Sequence, residues 1–363
     1  MIIINDTHLG VNRVSGTTPQ SREDLRNYVF AEFDRLLHIA DGHDLCILGD
    51  LFDAFEVAPR DWLEAYLLLA NWCANNPDCT LDLVAGNHDV SMKGSKVSSF
   101  ETLATVLKQQ FDNVLVTGID ESYSMYLSTG RAFVVAHHRN QELFDLALDR
   151  VLEDCERGDY VLLHANYDNK FAEQADHSLN VSAEQAYMFN KKGVMLLFAH
   201  EHKHKVERFP HEVGEHFGSV VVLGCQYPTS ISDCTGETEK FYWSVDNGKL
   251  VPHRFWEAKD NYAELDWRSL PQDNPAKFIR VVGDAVNAEA AQVIDAIHRF
   301  RQKSNAFVIT NAVKIEGIAD IESLPDTFEA SRKFDVMEFV YGQLNEAEAE
   351  VIRACLRRVT CAR

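Results

Sequence analysis

Short apolar runs alternate with longer stretches of helix-like periodicity through the first two hundred residues. The runs at 1–5, 45–48, 81–85, 131–136, 160–163 and 194–198 are four to six residues long and dominated by apolar residues, as strands covered on both faces are. Between them, 21–41, 59–76, 98–110 and 141–157 carry apolar residues at three- and four-residue spacings, which predicts helices laid on a sheet. Pro59 suits a first helical turn, and Ser21 with Asp24 three residues on suits an N-cap with an acidic first turn. Such alternation predicts an α/β fold. From Lys205 to about Glu257 the pattern becomes strand-like throughout (220–223, 241–245, 249–254), which predicts the second sheet of a layered sandwich. The stretch 266–275, rich in Pro, Asp and Asn, reads as a linker. Beyond it, 278–282, a helix over 288–302 and 307–315 make a compact strand–helix–strand unit. In the last segment, 334–363, Leu344, Val351, Cys355 and Val359 stand at the spacings of an amphipathic helix.

The residues that follow these runs carry the chemistry. They are Asp6-Thr7-His8, Gly49-Asp50-Leu51-Phe52-Asp53, Gly86-Asn87-His88-Asp89, His164 and His200-Glu201-His202. Each comes after a predicted strand, where open α/β sheets gather loops into one crevice. The set offers carboxylate, imidazole and amide oxygen and no thiolate, which suits Mn, Fe, Zn or Mg rather than a soft-metal site. Each segment alone is weak, because a lone His is more often a core or surface residue; the order and context of all of them make the signal specific. Two cations about 3.5–4 Å apart need a ligand shared between them, and Asp50 is the natural bridge. A competing register at the last segment, His202-Lys203-His204, would set its first ligand two residues further from the strand end.

Composition narrows the class. A chain of 363 residues exceeds the usual size of a single core, so a large domain with a smaller one is expected. No stretch approaches the length of a membrane span. The opening Met1-Ile2-Ile3-Ile4 run is too short for a signal peptide and has no basic residue before it, which points to the cytoplasm. The eight cysteines show no C-x2-C pair and read as reduced thiols. A formal net charge of −21 argues against a general electrostatic field for nucleic acid. A local track remains open, since Lys93, Lys96, Lys191, Lys192, Lys203, Lys205 and Arg208 lie in or near the motif-bearing loops; a solvated charged face is the blander alternative. His137 and His138 are expected to line the crevice without filling ligand positions. His177, His211 and His216 read as surface residues, and Trp62, Tyr66 and Trp72 as helix packing.

The ordered segments resemble the calcineurin-like metallophosphoesterase superfamily, with its D-x-H, G-D-x-x-D, G-N-H-D/E, H and G-H-x-H pattern, over residues 1 to about 250. One departure is Ala199 where the family usually has Gly. The resemblance implies a four-layer α/β/β/α sandwich and two divalent cations, Mn2+ first, with Mg2+, Fe2+ or Zn2+ as other choices. It implies that Asp6, His8, Asp50 and His202 hold one cation, while Asp50, Asn87, His164 and His200 hold the other. His88, next to a ligand, would protonate the leaving oxygen. Asp53 would orient His88, or else cap a turn. Asp89 reads as a turn residue.

Finer resemblance concerns the substrate. Serine/threonine phosphatases of the superfamily carry Arg-Gly after the second segment's last Asp, and here Ala54-Phe55 follows Asp53. The run Asp6-Thr7-His8-Leu9-Gly10, the Gly49–Asp53 block, the appended unit and the amphipathic tail together look like the SbcD-type nuclease subunits of double-strand-break processing and recombination complexes. That implies a nuclease domain over 1–258, a small α/β capping domain over 266–326 and a helical partner-binding segment over 333–363. It further implies DNA as substrate, an SMC-like coiled-coil ATPase (SbcC-type) as partner, a homodimer and no membrane association. The alternative is a stand-alone phosphodiesterase acting on a small nucleotide. A non-catalytic DNA-end scaffold fits poorly with an unbroken ligand set.

Overall fold

A computed structural model describes residues 1–89, 96–127, 130–169, 178–208, 218–272 and 274–316. The first three runs become strands β1 (Ile2–Ile4), β2 (Leu45–Leu48) and β3 (Leu81–Val84), and β4 (Val114–Thr117), not read from the sequence, follows them, each strand parallel to the next. Next come β5 (Ser122–Leu127), β6 (Gly130–Val135), β7 (Tyr160–His164), a short pair β8 (Asn166–Tyr167) and β9 (Asn180–Val181), β10 (Met195–Ala199), β11 (Lys205–Arg208) and β12 (Ser219–Val222). Leaving aside the short pair, these form a second sheet in the order β11-β12-β10-β7-β6-β5.

Side-chain alternation builds the layers. In the second sheet Leu162, Leu197 and Val221 point into one core shared with the first sheet and the helices Pro19–Ile39, Pro59–Asn75 and Ser99–Gln110. Their neighbours Val161, Leu163, Leu196 and Phe198 point the other way, onto Phe144, Leu148 and Phe189 of the helices Gln141–Asp154 and Ala183–Lys192. Helices therefore cover both outer faces of two stacked sheets, the α/β/β/α sandwich expected from the sequence. Each such Leu, Val or Phe taken fully out of water contributes about 1.5–3 kcal/mol, and a one-residue slip would swap every one of them between cores.

Three expectations about elements need correction. The strands β13 (Glu239–Asp246) and β14 (Lys249–Glu257) join the first sheet rather than the second, with β13 antiparallel to β1 and Ile2 opposite Ser244. Alternating polarity identifies a strand but not its neighbour; here Asn247 and Gly248, both at positive φ, close a tight hairpin, and buried Trp243 anchors it through Nε1 to the Leu223 carbonyl at 3.1 Å. Next, Ser21 is not the cap of the first helix. Thr18 is, and Ser21 completes the reciprocal box, its N–H donating to Thr18 Oγ1 at 3.1 Å and its Oγ accepting from Thr18 N at 2.8 Å. Finally, the stretch read as a linker opens inside structure. Asp266 ends strand β15 (Tyr262–Asp266) and Trp267 is buried.

Strand β15 pairs in parallel with β16 (Phe278–Val282), and β16 in parallel with β18 (Val308–Asn311), beneath the helix Ala290–Arg301; β17 (Asp284–Ala285) and β19 (Lys314–Ile315) form a short pair. Trp267, Ile279, Val281, Val293 and Ile297 give this unit its own core. It is nonetheless continuous with the sandwich. Phe278 and Val308 belong to the large core, and Tyr28 meets Phe278 at 6.1 Å and Phe307 at 5.1 Å between ring centres. The expected partner-binding helix at 333–363 and the end of the segment 266–326 lie outside the described residues. Among the described residues, no helix is long and apolar enough to cross a membrane.

Candidate metal centre

Every expected ligand comes from a loop or strand end on one edge of the sandwich. The first two loops stay paired beyond their strands, through Asp6 N to Gly49 O at 3.2 Å, His8 N to Asp50 O at 3.1 Å and Asp53 N to Leu9 O at 3.0 Å. Asp6, His8, Asp50 and His200 all adopt left-handed backbone, with φ of 50°, 47°, 49° and 82°. Each such residue costs on the order of 1–3 kcal/mol, and such strain gathers where surrounding structure enforces a working geometry. The glycines of the segments enable the close packing. A Cβ on Gly49 would lie 1.9 Å from His164 Nδ1, and one on Gly86 would lie 2.2 Å from Asp50 Oδ1.

The side chains form two groups joined by a third, His8, Asp50 and His88, whose potential ligand atoms are equally close. In one, potential ligand atoms of Asp6, His8 and His202 lie within 4.8 Å of one another, and His8 Nε2 is 3.0 Å from His202 Nε2. In the other, Asp50, His164 and His200 are similarly close. There His164 Nε2 lies 3.4 Å from Asp50 Oδ1 and 3.0 Å from Asn87 Oδ1, while His200 Nδ1 lies 2.9 Å from the same Asn87 oxygen.

Hydrogen-bond chemistry says what the cradle fits. His164 Nδ1 faces the Leu48 carbonyl at 3.1 Å and His202 Nδ1 faces the Asp233 carboxylate at 2.8 Å; both partners only accept, so each Nδ1 carries its hydrogen and each Nε2, whose lone pair a cation would take, turns inward. Those nitrogens meet further acceptors, and Asp6 Oδ1 is buried with no hydrogen-bond partner. Convergent buried acceptors of this kind are satisfied by cations. Electrostatics shows a demand for positive charge at the same place. Burial pulls His164 down, yet Asp50, with help from Asp6, pushes it up to about 9. Burial acts to raise Asp50, but His164, His88 and His8 hold it well below the usual carboxylate range.

The remaining residues sort as follows. His88 donates its backbone N–H to Asp50 Oδ1 at 3.0 Å, its Nδ1 meets the Asp53 backbone carbonyl at 2.6 Å, and its half-exposed ring leaves Nε2 toward the cleft, 3.8 Å from Asp50 Oδ2. The Asp53 carboxylate lies elsewhere, 3.4 Å from His8 Nδ1 and 3.3 Å from Arg13 Nη2. Buried Asp89 fixes its own turn by accepting from Gly86 N at 2.8 Å. His204 is outside the cluster; its Nδ1 meets the Val222 carbonyl at 2.7 Å and its ring packs on Trp243, so the His202-Lys203-His204 register is not the one gathered. His137 is buried beside His164 and His200, and burial together with those imidazoles pulls it down to about 3. His138 packs on Phe144. Trp62 stacks on Tyr66 at 5.6 Å, and Trp72 is buried. Lys192 Nζ is spent on carbonyls at the end of the helix Gln141–Asp154, Lys96 pairs with Glu56, and Lys205, though exposed, pairs with Glu207 at 3.5 Å and lies over the Tyr167 ring; Lys203 and Arg208 are exposed beside the last ligand loop. Lys93, His177, His211 and His216 lie outside the described residues.

Some residues around the site carry no signal in their spacing. Asp233, Gln226 and Tyr227 are buried polar groups in the irregular stretch before β13, Lys240 is buried at the start of β13, and Arg13 reaches Asp53 from the loop after β1. His202, Cys225 and Asp233 also converge closely enough to resemble a metal site. Lys240 supplies the positive charge there: it is 2% exposed, its ammonium donates to the His202 carbonyl at 3.1 Å, and although burial pulls it down, Cys225 and Asp233 raise it.

A stacked pair of sheets flanked by helices, with acidic, amide and imidazole ligands on the loops of one edge, defines a metallophosphoesterase. Residues 1–204, more than half of the chain, match the calcineurin-like phosphoesterase family, and the chain belongs to that family. It is a metal-dependent phosphoester hydrolase. A search of curated proteins gave no match.

Proposed function

We propose that the protein is a two-cation phosphodiesterase that cuts DNA, acts as a homodimer and works with an SMC-like coiled-coil ATPase. Asp6, His8, Asp50 and His202 would hold one cation, and Asp50, Asn87, His164 and His200 the other, both most simply Mn2+. The observation that carries the hydrolytic part is the pair of converging ligand groups around Asp50, with Asp6 Oδ1 buried and unmatched. Such a pair, when bound, acidifies water and neutralises charge on the phosphoryl oxygens. His88 does the rest of the proton work. With Nδ1 fixed on the Asp53 carbonyl, its Nε2 is the cleft-facing nitrogen that can hand a proton to the departing oxygen. DNA as substrate is supported by the SbcD-like first two segments and by exposed Lys203, Lys205 and Arg208 beside the His200–His202 loop. It is supported too by the appended sheet, which is fastened to the loop after the first ligands through Ile309 N to Gly16 O at 2.8 Å.

The test is to incubate the full chain and Mn2+ with linear duplex DNA, a cyclic dinucleotide and a chromogenic phosphodiester. Cleavage of duplex DNA is expected, and cleavage confined to the small substrates contradicts the nuclease assignment in favour of a small-nucleotide phosphodiesterase. For the partner, removal of 334–363 is expected to spare chromogenic turnover while abolishing co-purification with the ATPase; undiminished co-purification rejects that role. Light scattering should give twice the 41.2 kDa chain mass.

A further inference from the structure

We infer that the segment 224–240, which lies beyond the residues matched to the family, is a positioning device for one of the two cations, the one facing Asp6, His8 and His202. This rests on the cation-pair assignment above and adds to it which residues set the affinity of each site.

Several contacts run from this segment to the Asp6–His8–His202 side. Asp233, 3% exposed, accepts from His202 Nδ1 at 2.8 Å and is itself fixed by the backbone N–H groups of Thr229 at 2.8 Å and Ser230 at 2.9 Å. Lys240 holds the His202 carbonyl from the other end. Gln226 brackets Asn5, donating to its Oδ1 at 2.9 Å and accepting from its backbone N–H at 3.0 Å, and the Asn5 side-chain amide in turn donates to Asp6 Oδ2. Tyr227 Oη donates to the Thr7 carbonyl at 2.9 Å, between the two ligands of the first segment. The approach is close enough that a Cβ on Gly224 would come within 2.9 Å of His204 N.

These contacts have a chemical consequence. The Asp233 carboxylate fixes His202 with hydrogen on Nδ1, so Nε2 is the nitrogen left to face the cation site. The Asn5–Gln226 pair occupies Asp6 Oδ2 and leaves Oδ1 as the free ligand oxygen. Carboxylate–imidazole partners of this sort change metal affinity by about 10–100-fold when removed. The other side has no contact of this kind with 224–240 among those described: His164 is oriented by the Leu48 carbonyl, and Asn87 sits on the turn fixed by Asp89.

The experiment titrates the full-length protein and its Asp233→Asn variant with Mn2+, read by electron paramagnetic resonance and calorimetry. Wild type should bind two ions and show the exchange-coupled signal of a close pair. In D233N one ion should bind as before, while the other weakens about 10–100-fold, so that the isolated-ion signal dominates at low Mn2+. A folded D233N with the coupled signal and both affinities unchanged overturns the inference, as does equal weakening of both ions. Nitrogen-15 spectra of His202 in the metal-free wild-type protein give a second readout that needs no variant. Hydrogen on Nδ1 is expected whether or not Nε2 is protonated as well, and a bare Nδ1 overturns the inference. Wild type that binds no pair of ions overturns the cation-pair assignment itself, and this inference with it.

Discussion

The two sides of the metal centre are held by different means. Around Asn87 and His164 the structure uses backbone. Gly49 and Gly86 let the second and third loops close onto His164 and Asp50 with no room for a Cβ, and the Leu48 carbonyl orients the imidazole. Around Asp6, His8 and His202 it uses side chains delivered from 224–240, above all Asp233 on His202 and Gln226 through Asn5. The first arrangement lies inside the segments that define the family and tolerates almost no substitution. The second lies outside them and can be adjusted one hydrogen bond at a time, so on the proposed assignment it is where affinity for one cation would be tuned without disturbing the other.

Three substitutions probe that contrast. His88 belongs to neither support, so His88→Asn should keep both cations and lower turnover by about 10²–10⁴-fold, the range for loss of a general acid. Metal loss matching the turnover loss would make His88 a part of the cradle instead. Gly49→Ala attacks the backbone-held side, since a methyl would enter His164 at a positive φ of 80°. We expect about 3–5 kcal/mol of destabilisation in thermal or urea unfolding, with loss of the His164-side cation first; near-wild-type stability would show that the side is looser than its geometry.

The third and smallest effect concerns β3, which leads into that same side. Asp82 on β3 is buried, and burial pushes its carboxyl up to about 6 even though the Tyr123 hydroxyl donates to it. Its folded value is therefore above its unfolded value near 3.8. The fold takes up this proton more readily than the unfolded chain does. Its contribution to stability is fully present below about pH 4 and is lost as the pH rises through about 6, a change of roughly 2–3 kcal/mol. Asp82→Asn should flatten the stability profile across that window in urea unfolding. An unchanged slope would mean that Asp82 titrates normally.

The same contrast explains what was legible in the sequence. Strands that end in ligands could be read because both signals are local: an apolar run, then a metal-binding residue type within one to three positions. His200 and His202 were separable from His204 for the same reason, since ligands directly after a strand are the better fixed. Tertiary pairing was not local, so the hairpin of β13 and β14 was recognisable as strands but assigned to the wrong sheet. Asp233 and Gln226 were invisible because an irregular polar stretch looks alike whether its carboxylates face water or an imidazole. The Asp53 carboxylate shows the same limit: its spacing after Asp50 placed it near the site, but only the fold sets it against His8 and Arg13, with its carbonyl rather than its carboxylate on His88.

Anomalous diffraction from crystals soaked in Mn2+ tests the central claim most directly. Two peaks about 3.5–4 Å apart are expected, one among Asp6, His8 and His202 and one among Asn87, His164 and His200, with Asp50 in reach of both. A single peak, or manganese bound away from these side chains, would contradict it.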